Sequence, residues 1–318
     1  MASQDLVSLA DIRAAATRIA PYIFHTPVIP MVPSGLKLKA ESLQPVGAFK
    51  IRGAFNAILS LSEEERHRGV IAHSSGNHAQ AVAYAAQRLG VKAVIVIPSN
   101  APAVKIEATR HWGAEVHLVD FMGNARSEVC AALAKEHGYV LVPPYESEKI
   151  IAGTGTIGLE ILEQVASVRT IYVPVSGGGL IAGVAAAVKQ TNPGIRVIGV
   201  EPELANDAQQ SLRAGRIVNV APEETVRTIA DGLRVSQVGN IPWRHIRAYV
   251  DDIVTVSEDQ IQGAMRRIAL DARLVAEPSG AAAAAGALAQ QGELEFAVAM
   301  VSGGNTEPKS YASIIAQA

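Results

Sequence analysis

The chain has 318 residues, 49% hydrophobic and 18% charged, with a net charge of −2. At about 100–200 residues per domain this length predicts two lobes with ample core, which excludes general disorder. The charge balance excludes a strongly basic nucleic-acid surface, 4% aromatics argue against base-stacking platforms, and the single cysteine, Cys130, excludes an intrachain disulfide.

One cysteine fits a reducing, cytoplasmic setting. No basic start leads into an apolar block, so no signal peptide is expected, and no run reaches the ~18 apolar residues of a membrane span. Near-continuous apolar runs predict buried strands at Val70–His73, Ala93–Ile97, Glu115–Val119 and Tyr139–Val142. Helical patterns separate them at Ala79–Leu89, Ala103–Trp112 and Asn124–His137. Pro143-Pro144 marks a crossing between lobes, and Glu148–Ile151 reads as a weak strand. Four more strands follow at Thr170–Val175, Arg196–Val200, Ile253–Val256 and Phe296–Val301. The helices among them are Leu180–Gln190, Glu258–Leu270, Gly280–Ala289 and Glu307–Ala316. Such alternation is the signature of parallel α/β sheets.

Ligands of parallel sheets sit at strand ends. Ser176-Gly177-Gly178-Gly179-Leu180 joins a strand to a helix, and three successive glycines expose more backbone than a tight turn needs. The freed N–H groups and the helix dipole suit a phosphate. The same segment also reads as a dinucleotide fingerprint, Gly177-x-Gly179-x-x-Ala182, with Glu201 as the ribose acid. That reading is a nicotinamide dehydrogenase. Gly153-x-Gly155-x-x-Gly158 matches the fingerprint literally but follows no convincing strand. Ser74-Ser75-Gly76-Asn77-His78 and Ser302-Gly303-Gly304-Asn305 follow strands too. Each serves as a helix cap or turn, and the first also suits a carboxylate.

Lys50 opens an amphipathic helix between Phe49 and Ile51. Partial burial there disfavours the ammonium, and a neutral amine can form a Schiff base and act as a base. The bland alternative is a solvated surface lysine. No G-x-S-x-G, H-E-x-x-H or C-x-x-C occurs. His111, Glu115 and His117 straddle a helix end and a strand, a poor metal set, and Cys130 reads as an inert core thiol.

In this order, Ala48–Ala54, Ser74–Ala79, Ser176–Leu180, Ala230–Leu233 and Ser302–Asn305 resemble the motif series of fold-type II pyridoxal phosphate enzymes. The serine/threonine dehydratase and serine racemase group is the most similar, from Ile23-x-x-Thr26-Pro27 to Asn305. The resemblance implies an α/β fold of two open parallel-sheet lobes with helices on both faces, like the tryptophan synthase β chain. It implies a large cofactor-binding domain, 1–68 plus 147–318, and a small substrate-closing domain, 69–146.

By the same resemblance, Lys50 would hold pyridoxal 5′-phosphate as a Schiff base beside Phe49. Ser176, Gly177, Gly178, Gly179 and Leu180 would cradle its phosphate, Asn77 would bond the ring hydroxyl, Ser302 would meet the ring nitrogen and Gly232 would pack near the ring. Ser74, Ser75, Asn77 and His78 would grip the substrate carboxylate, with Ser75 a second acid/base. Glu201, the Ala205 carbonyl and Asp207 resemble the serine racemase site for Mg²⁺ or Ca²⁺; the alternative is solvated loop acids. The sequence departs from the family pattern at Ala48, where serine is common, and at Pro143-Pro144-Tyr145-Glu146, which replaces a His-Pro-aromatic-acid segment. No regulatory domain follows Ala318, so feedback of the biosynthetic threonine deaminase kind is not expected.

The expected reaction is elimination of water from a β-hydroxy amino acid of the L-threonine or L-serine type, giving a 2-oxo acid and ammonia. Serine racemisation and 3-hydroxyaspartate dehydration are alternatives on the same fold, and a non-catalytic phosphometabolite-binding protein is a third kind of reading. A small-molecule amino acid, a homodimer, and no nucleic acid or membrane are the expected partners.

Overall fold

The computed structural model describes residues 6–74, 76–101, 103–120, 125–290 and 292–317. Ten strands run in chain order: β1 Val28–Pro30, β2 Lys37–Ala40, β3 Val70–His73, β4 Ala93–Pro98, β5 Glu115–Val119, β6 Val140–Leu141, β7 Thr170–Pro174, β8 Arg196–Pro202, β9 Asp252–Val256 and β10 Ala297–Val301. They form two sheets, ordered β1-β2-β10-β7-β8-β9 and β5-β4-β3-β6. All ladders are parallel except β1 with β2, an antiparallel edge that the apolar pattern does not announce. The eight strands expected from the sequence are all present.

Helices cover both faces of the small sheet. Val70, Ala72, Ile95 and Ile97 face one cluster with Val82 and Ala86 of the helix Asn77–Leu89. Ile71, Val94 and Val96 face the other with Cys130. This is period-2 alternation with both faces apolar, as a parallel sheet requires. Burial pushes the Cys130 thiol up to about 11, so it is an inert core group. In the large sheet the helix Pro278–Ala289, built almost wholly of Ala and Gly, is buried along its length in the main core. Gly286 meets β8 so closely that a Cβ would stand 2.6 Å from a Val200 methyl.

The segment Glu148–Ile151 is the start of a 17-residue helix, Glu148–Gln164, rather than a strand. It contains the literal Gly153-x-Gly155-x-x-Gly158 match, whose glycines serve helix packing. A Cβ at Gly153 would lie 2.6 Å from the Arg52 carbonyl oxygen, and one at Gly158 would lie 2.9 Å from Ala187 Cβ. Two neighbouring helices, Lys50–Leu59 and Gly179–Thr191, therefore approach it at backbone distance. Tertiary contact outweighs the poor helix propensity of Gly, Thr and Ile here.

An ion cluster fixes the Lys50–Leu59 helix from beneath. Arg52, fully buried, donates to both oxygens of Glu41 at 2.7 and 2.8 Å and to both of Glu160 at 2.6 and 2.9 Å. Lys39, also fully buried, donates to Glu160 at 2.5 Å and to the Thr26 carbonyl at 2.6 Å. Two cations and two carboxylates close on themselves, the condition under which buried charge is tolerated.

Candidate active site

A cavity of about 540 Å³ opens between the two sheets at the carboxyl ends of β3, β7 and β10. Three chain segments build its floor. The loop Gly47–Phe49 is zipped to Ser302–Gly304: Phe49 N–H donates to the Ser302 carbonyl at 3.0 Å, Gly304 N–H to Gly47 at 2.9 Å, and Ala48 bridges Gly303. This brings Lys50 and Ser302 to one wall. Lys50 Nζ donates to the Pro144 carbonyl at 2.8 Å, and no carboxylate among the described residues pairs with it. Burial lowers its ammonium to about 8, so about a tenth of the amine is neutral at pH 7, against well under a hundredth for an ordinary lysine. The surface-lysine reading is thereby set aside.

The loop Ser176–Leu180 forms the second segment. Ser176 takes a left-handed φ of 54° and Gly178 one of 88°. The first-turn N–H groups of the helix Gly179–Thr191 have no intrahelical acceptor by geometry. The loop's crowding explains its glycines: a Cβ at Gly177 would stand 2.3 Å from the Tyr145 ring, one at Gly179 2.9 Å from Tyr145 Cβ, and one at Gly178 2.8 Å from Pro242 and Val238. Ser176 Oγ donates to the Gly232 carbonyl at 3.0 Å, and Gly232 N–H donates to Ser279 Oγ at 2.8 Å. Gly232 thus ties the glycine loop to the helix behind Ser302.

Ser74–His78 supplies the third segment. Ser74 Oγ accepts from Gly76 N–H at 3.2 Å. Asn77 donates to Glu277 at 2.5 Å and accepts from Asn305 at 2.8 Å. His78 Nε2 meets the Val142 carbonyl at 2.9 Å, and burial, with the nearby Lys50 charge, lowers its imidazole to about 3. His78 is therefore neutral, with Nε2 the donor. Ser75 lies outside the described residues. Of the remaining residues expected at the site, Phe49, Lys50, Ser74, Asn77, His78, Ser176 to Leu180, Gly232 and Ser302 all line the one cavity.

Sequence reading missed Glu277 and Arg126, which line it too, as does Tyr145 of the segment that departs from the family pattern. Glu277 was legible in principle. It stands directly ahead of a helix of small residues, and a helix apolar all round must be buried, its entrance included. Across the cavity mouth Lys105, on the helix Ala103–His111, pairs with Asp231.

Glu201, Ala205 and Asp207 stand away from this cavity and are buried, so the solvated-acid alternative does not hold. Glu201 accepts from Ala208 N–H at 3.3 Å and Gln209 N–H at 2.8 Å. Neither Asp207 oxygen has a hydrogen-bond partner, although the backbone N–H groups of Asp207 and Val238 lend some favourable potential. Burial raises the Asp207 carboxyl to about 7 and, with the Asp207 charge, raises Glu201. Orphaned buried carboxylate oxygens fit a hard divalent cation completed by a carbonyl and waters. Glu201 in that place cannot serve as a ribose acid at the glycine loop. No group of three or more His, Cys, Asp or Glu side chains converges among the described residues, so His111, Glu115 and His117 make no metal set.

A buried lysine amine with a lowered pKa, a hydroxyl on the same wall and a glycine loop too crowded for any Cβ define a site for a phosphorylated carbonyl cofactor. Residues 19–303 match the family described as pyridoxal-phosphate dependent enzyme. The chain belongs to that family, with the fold-type II architecture, and the nicotinamide and non-catalytic readings are overturned. It is 42% identical to an L-threo-3-hydroxyaspartate ammonia-lyase of Saccharomyces cerevisiae, over 96% of this chain and 95% of that one. It is also 42% identical to an L-threonine ammonia-lyase of Thermotoga maritima, over 95% of this chain and 76% of the other. The structure of maize serine racemase superposes with a TM-score of 0.92 at 42% identity, covering 97% of each chain.

Proposed function

We propose that this enzyme removes water from an L-β-hydroxy amino acid, leaving a 2-oxo acid and ammonia. The observation that carries the reading is the pairing of Gly47–Phe49 with Ser302–Gly304, which sets a neutral-poised amine and a hydroxyl on one wall. Lys50 would hold the cofactor, the N–H groups of Ser176 to Leu180 its phosphate, and Asn77 and Ser302 its ring edge. When bound, pyridoxal phosphate supplies the sink for the electron pair left on Cα. Lys50 Nζ would take the Cα proton, a role its depressed pKa suits because about a tenth of the amine is neutral at pH 7. Ser302 offers a neutral hydroxyl where a carboxylate would hold a ring nitrogen protonated, so charge on Cα is less deeply stabilised. That favours prompt departure of the β-hydroxyl. Ser74, Asn77 and His78 would orient the substrate carboxylate, with Ser75 as the acid/base on the second face. Tyr145, lying on Gly177 and Gly179, excludes water from the cradle side.

Residues 69–146 would form the small closing domain, with 1–68 plus 147–318 the large one. Glu201, Asp207 and the Ala205 carbonyl would hold Mg²⁺ or Ca²⁺. Phe24 and Leu43, 57% and 44% exposed and adjacent through the bonds of Gln44 to the Phe24 backbone, support burial against a second copy in a homodimer. No helix among the described residues is long and apolar enough to cross a membrane, and the reduced, buried Cys130 supports a cytoplasmic setting.

One observation favours a narrower substrate. Arg126 lines the cavity with no ion-pair partner among the described residues, whereas Lys105 is held by Asp231. Lys50 would be taken up by the cofactor and Arg234 is held by the Thr228 carbonyl, so Arg126 is the cation placed to meet an acidic side chain, that of 3-hydroxyaspartate. The deciding experiment assays 2-oxo acid and ammonia from L-serine, L-threonine and L-threo-3-hydroxyaspartate, beside chiral chromatography of the serine reaction. Product from at least one is expected; D-serine accumulating faster than pyruvate would make the enzyme a racemase instead.

A further inference from the structure

We infer that Glu277 is a positioning residue: with Asn305 it locks the side-chain amide of Asn77 so that one N–H faces the cavity and selects an acceptor oxygen there. The inference rests on the reading of the cavity as the cofactor site.

The hydrogen bonds run only one way. The Val46 carbonyl can only accept, and it lies 2.8 Å from Asn305 Nδ2. That fixes which end of the Asn305 amide is nitrogen. The second hydrogen of the same nitrogen goes to Asn77 Oδ1 at 2.8 Å. Asn77 must therefore turn its nitrogen to the other side, where Glu277 Oε1 accepts at 2.5 Å. An amide nitrogen carries two hydrogens and Glu277 takes one. The other is left for whatever the cavity holds, on a residue that lines it with Lys50 and Ser302.

Glu277 is built for this task and not for capping. It precedes Pro278 at the start of the helix Pro278–Ala289, yet its side chain makes no capping bond. It turns instead over Gly303, where a Cβ would stand 2.3 Å from Glu277 Oε1 and 3.1 Å from Asn77 Nδ2. Its own N–H donates to the Gly303 carbonyl at 3.0 Å, which pins the backbone. The residue is 5% exposed. Burial first, then the Asp231 charge, raises its carboxyl to about 8, with the Asn77 bond and Lys105 acting the other way. An acceptor is what the position needs, not a negative charge. An N–H fixed toward the cavity stabilises an ionised phenolic oxygen over a hydroxyl that must itself donate.

The test titrates purified protein, freed of cofactor, with pyridoxal phosphate and follows the visible absorption band. Wild type gives the reference, and folding of each variant is checked by circular dichroism and Tm. Glu277→Ala is expected to weaken cofactor affinity about tenfold or more, since the Asn77 donor is left unpaired, and to displace the band. Glu277→Gln keeps an acceptor and is expected to restore affinity to within about threefold of wild type. A folded Glu277→Ala with wild-type affinity and band overturns the inference, as does Glu277→Gln impaired as severely as Glu277→Ala. Should Glu277→Ala fail to fold, Asn305→Ala unlocks the same amide; weaker binding with a displaced band supports the inference, and unchanged binding overturns it. A wild type without any band defeats the site reading and this inference together, whereas a normal wild type beside an unaffected variant defeats this inference alone.

Discussion

The backbone N–H of Phe49 donates to the carbonyl of Ser302 at 3.0 Å, although the two stand near opposite ends of the chain. Through that bond the loop before one helix is held as an extra rung beside β10, and Lys50 follows it directly into the cavity. Arg52, one half-turn further on, anchors the same helix to Glu41 and Glu160. The amine that must move between partners thus sits on a backbone fixed at both ends.

The first prediction concerns that amine. Lys50→Ala is expected to abolish turnover and the visible cofactor band; borohydride reduction of wild type should fix the cofactor to the peptide carrying Lys50. Because the amine reacts only when neutral, cofactor capture by the freed protein should quicken as pH rises and level off above about 8. Glu277 titrates in the same range, so the profile is repeated in Glu277→Gln. A profile that persists there belongs to Lys50; one that vanishes does not.

The glycine loop is the second. Gly178→Ala forces a side chain into a left-handed conformation and against Pro242 and Val238. Cofactor affinity should fall at least tenfold, measured by equilibrium titration, while far-UV circular dichroism is retained. Affinity unchanged in a folded variant would remove the phosphate assignment.

How much of this was legible follows from which forces wrote it. Val70–His73, Ala93–Pro98 and Ala297–Val301 could be read directly because both faces of a parallel sheet are apolar. β2 could not: Lys37-Leu38-Lys39-Ala40 looks half-solvated, and only the fold brings Glu160 and Thr26 to bury Lys39. Glu148–Gln164 was hidden because its glycines and β-branched residues oppose a helix until two others pack on it. At the site, the glycine loop and Ser302 were legible at strand ends and Lys50 at a helix entrance, with the roles of Lys50 and Ser302 supplied by the order of the motifs. Arg126 carried no local signal, and for Glu277 the sequence showed burial at a helix entrance but not the Asn77 amide that meets it there.

Divalent cations give the third prediction. Saturating Mg²⁺ or Ca²⁺ should raise Tm by about 5 °C, the scale of a ligand that binds only the folded state at about 100 times its Kd. Asp207→Asn should lose that rise, because it removes a carboxylate whose oxygens have no other partner. An equal Tm with cation and with chelator would leave the pair as a buried like-charged couple and nothing more.

His78 supplies a stability prediction. Its folded pKa is depressed to about 3 from the ordinary 6.5, so the unfolded chain takes up the proton first. The contribution is fully present above about 6.5 and is lost as pH falls from there toward 3. Between pH 7 and pH 5 this one group should cost about 2 kcal/mol. Urea midpoints at both pH values, compared with His78→Gln, isolate it. The variant can still donate to the Val142 carbonyl, and its pH dependence should be shallower by about that amount.

Substrate choice turns on Arg126. A planar guanidinium in the cavity can hold a second carboxylate in bidentate fashion, and a hydroxyl or methyl offers it nothing equivalent. Were 3-hydroxyaspartate the substrate, Arg126→Ala should lower kcat/KM for it by about 10²-fold, the cost of leaving a charged group unpaired, and should move the serine or threonine value by less than about threefold. The loss should fall chiefly on KM, because the distal carboxylate is bound alike before and during proton removal. Arg126→Lys should recover only part of it, since a point charge lacks the fork. Equal losses on acidic and neutral substrates would mark Arg126 as part of the wall alone, and the choice between serine and threonine would then rest on Pro144 and Tyr145, which line the same cavity.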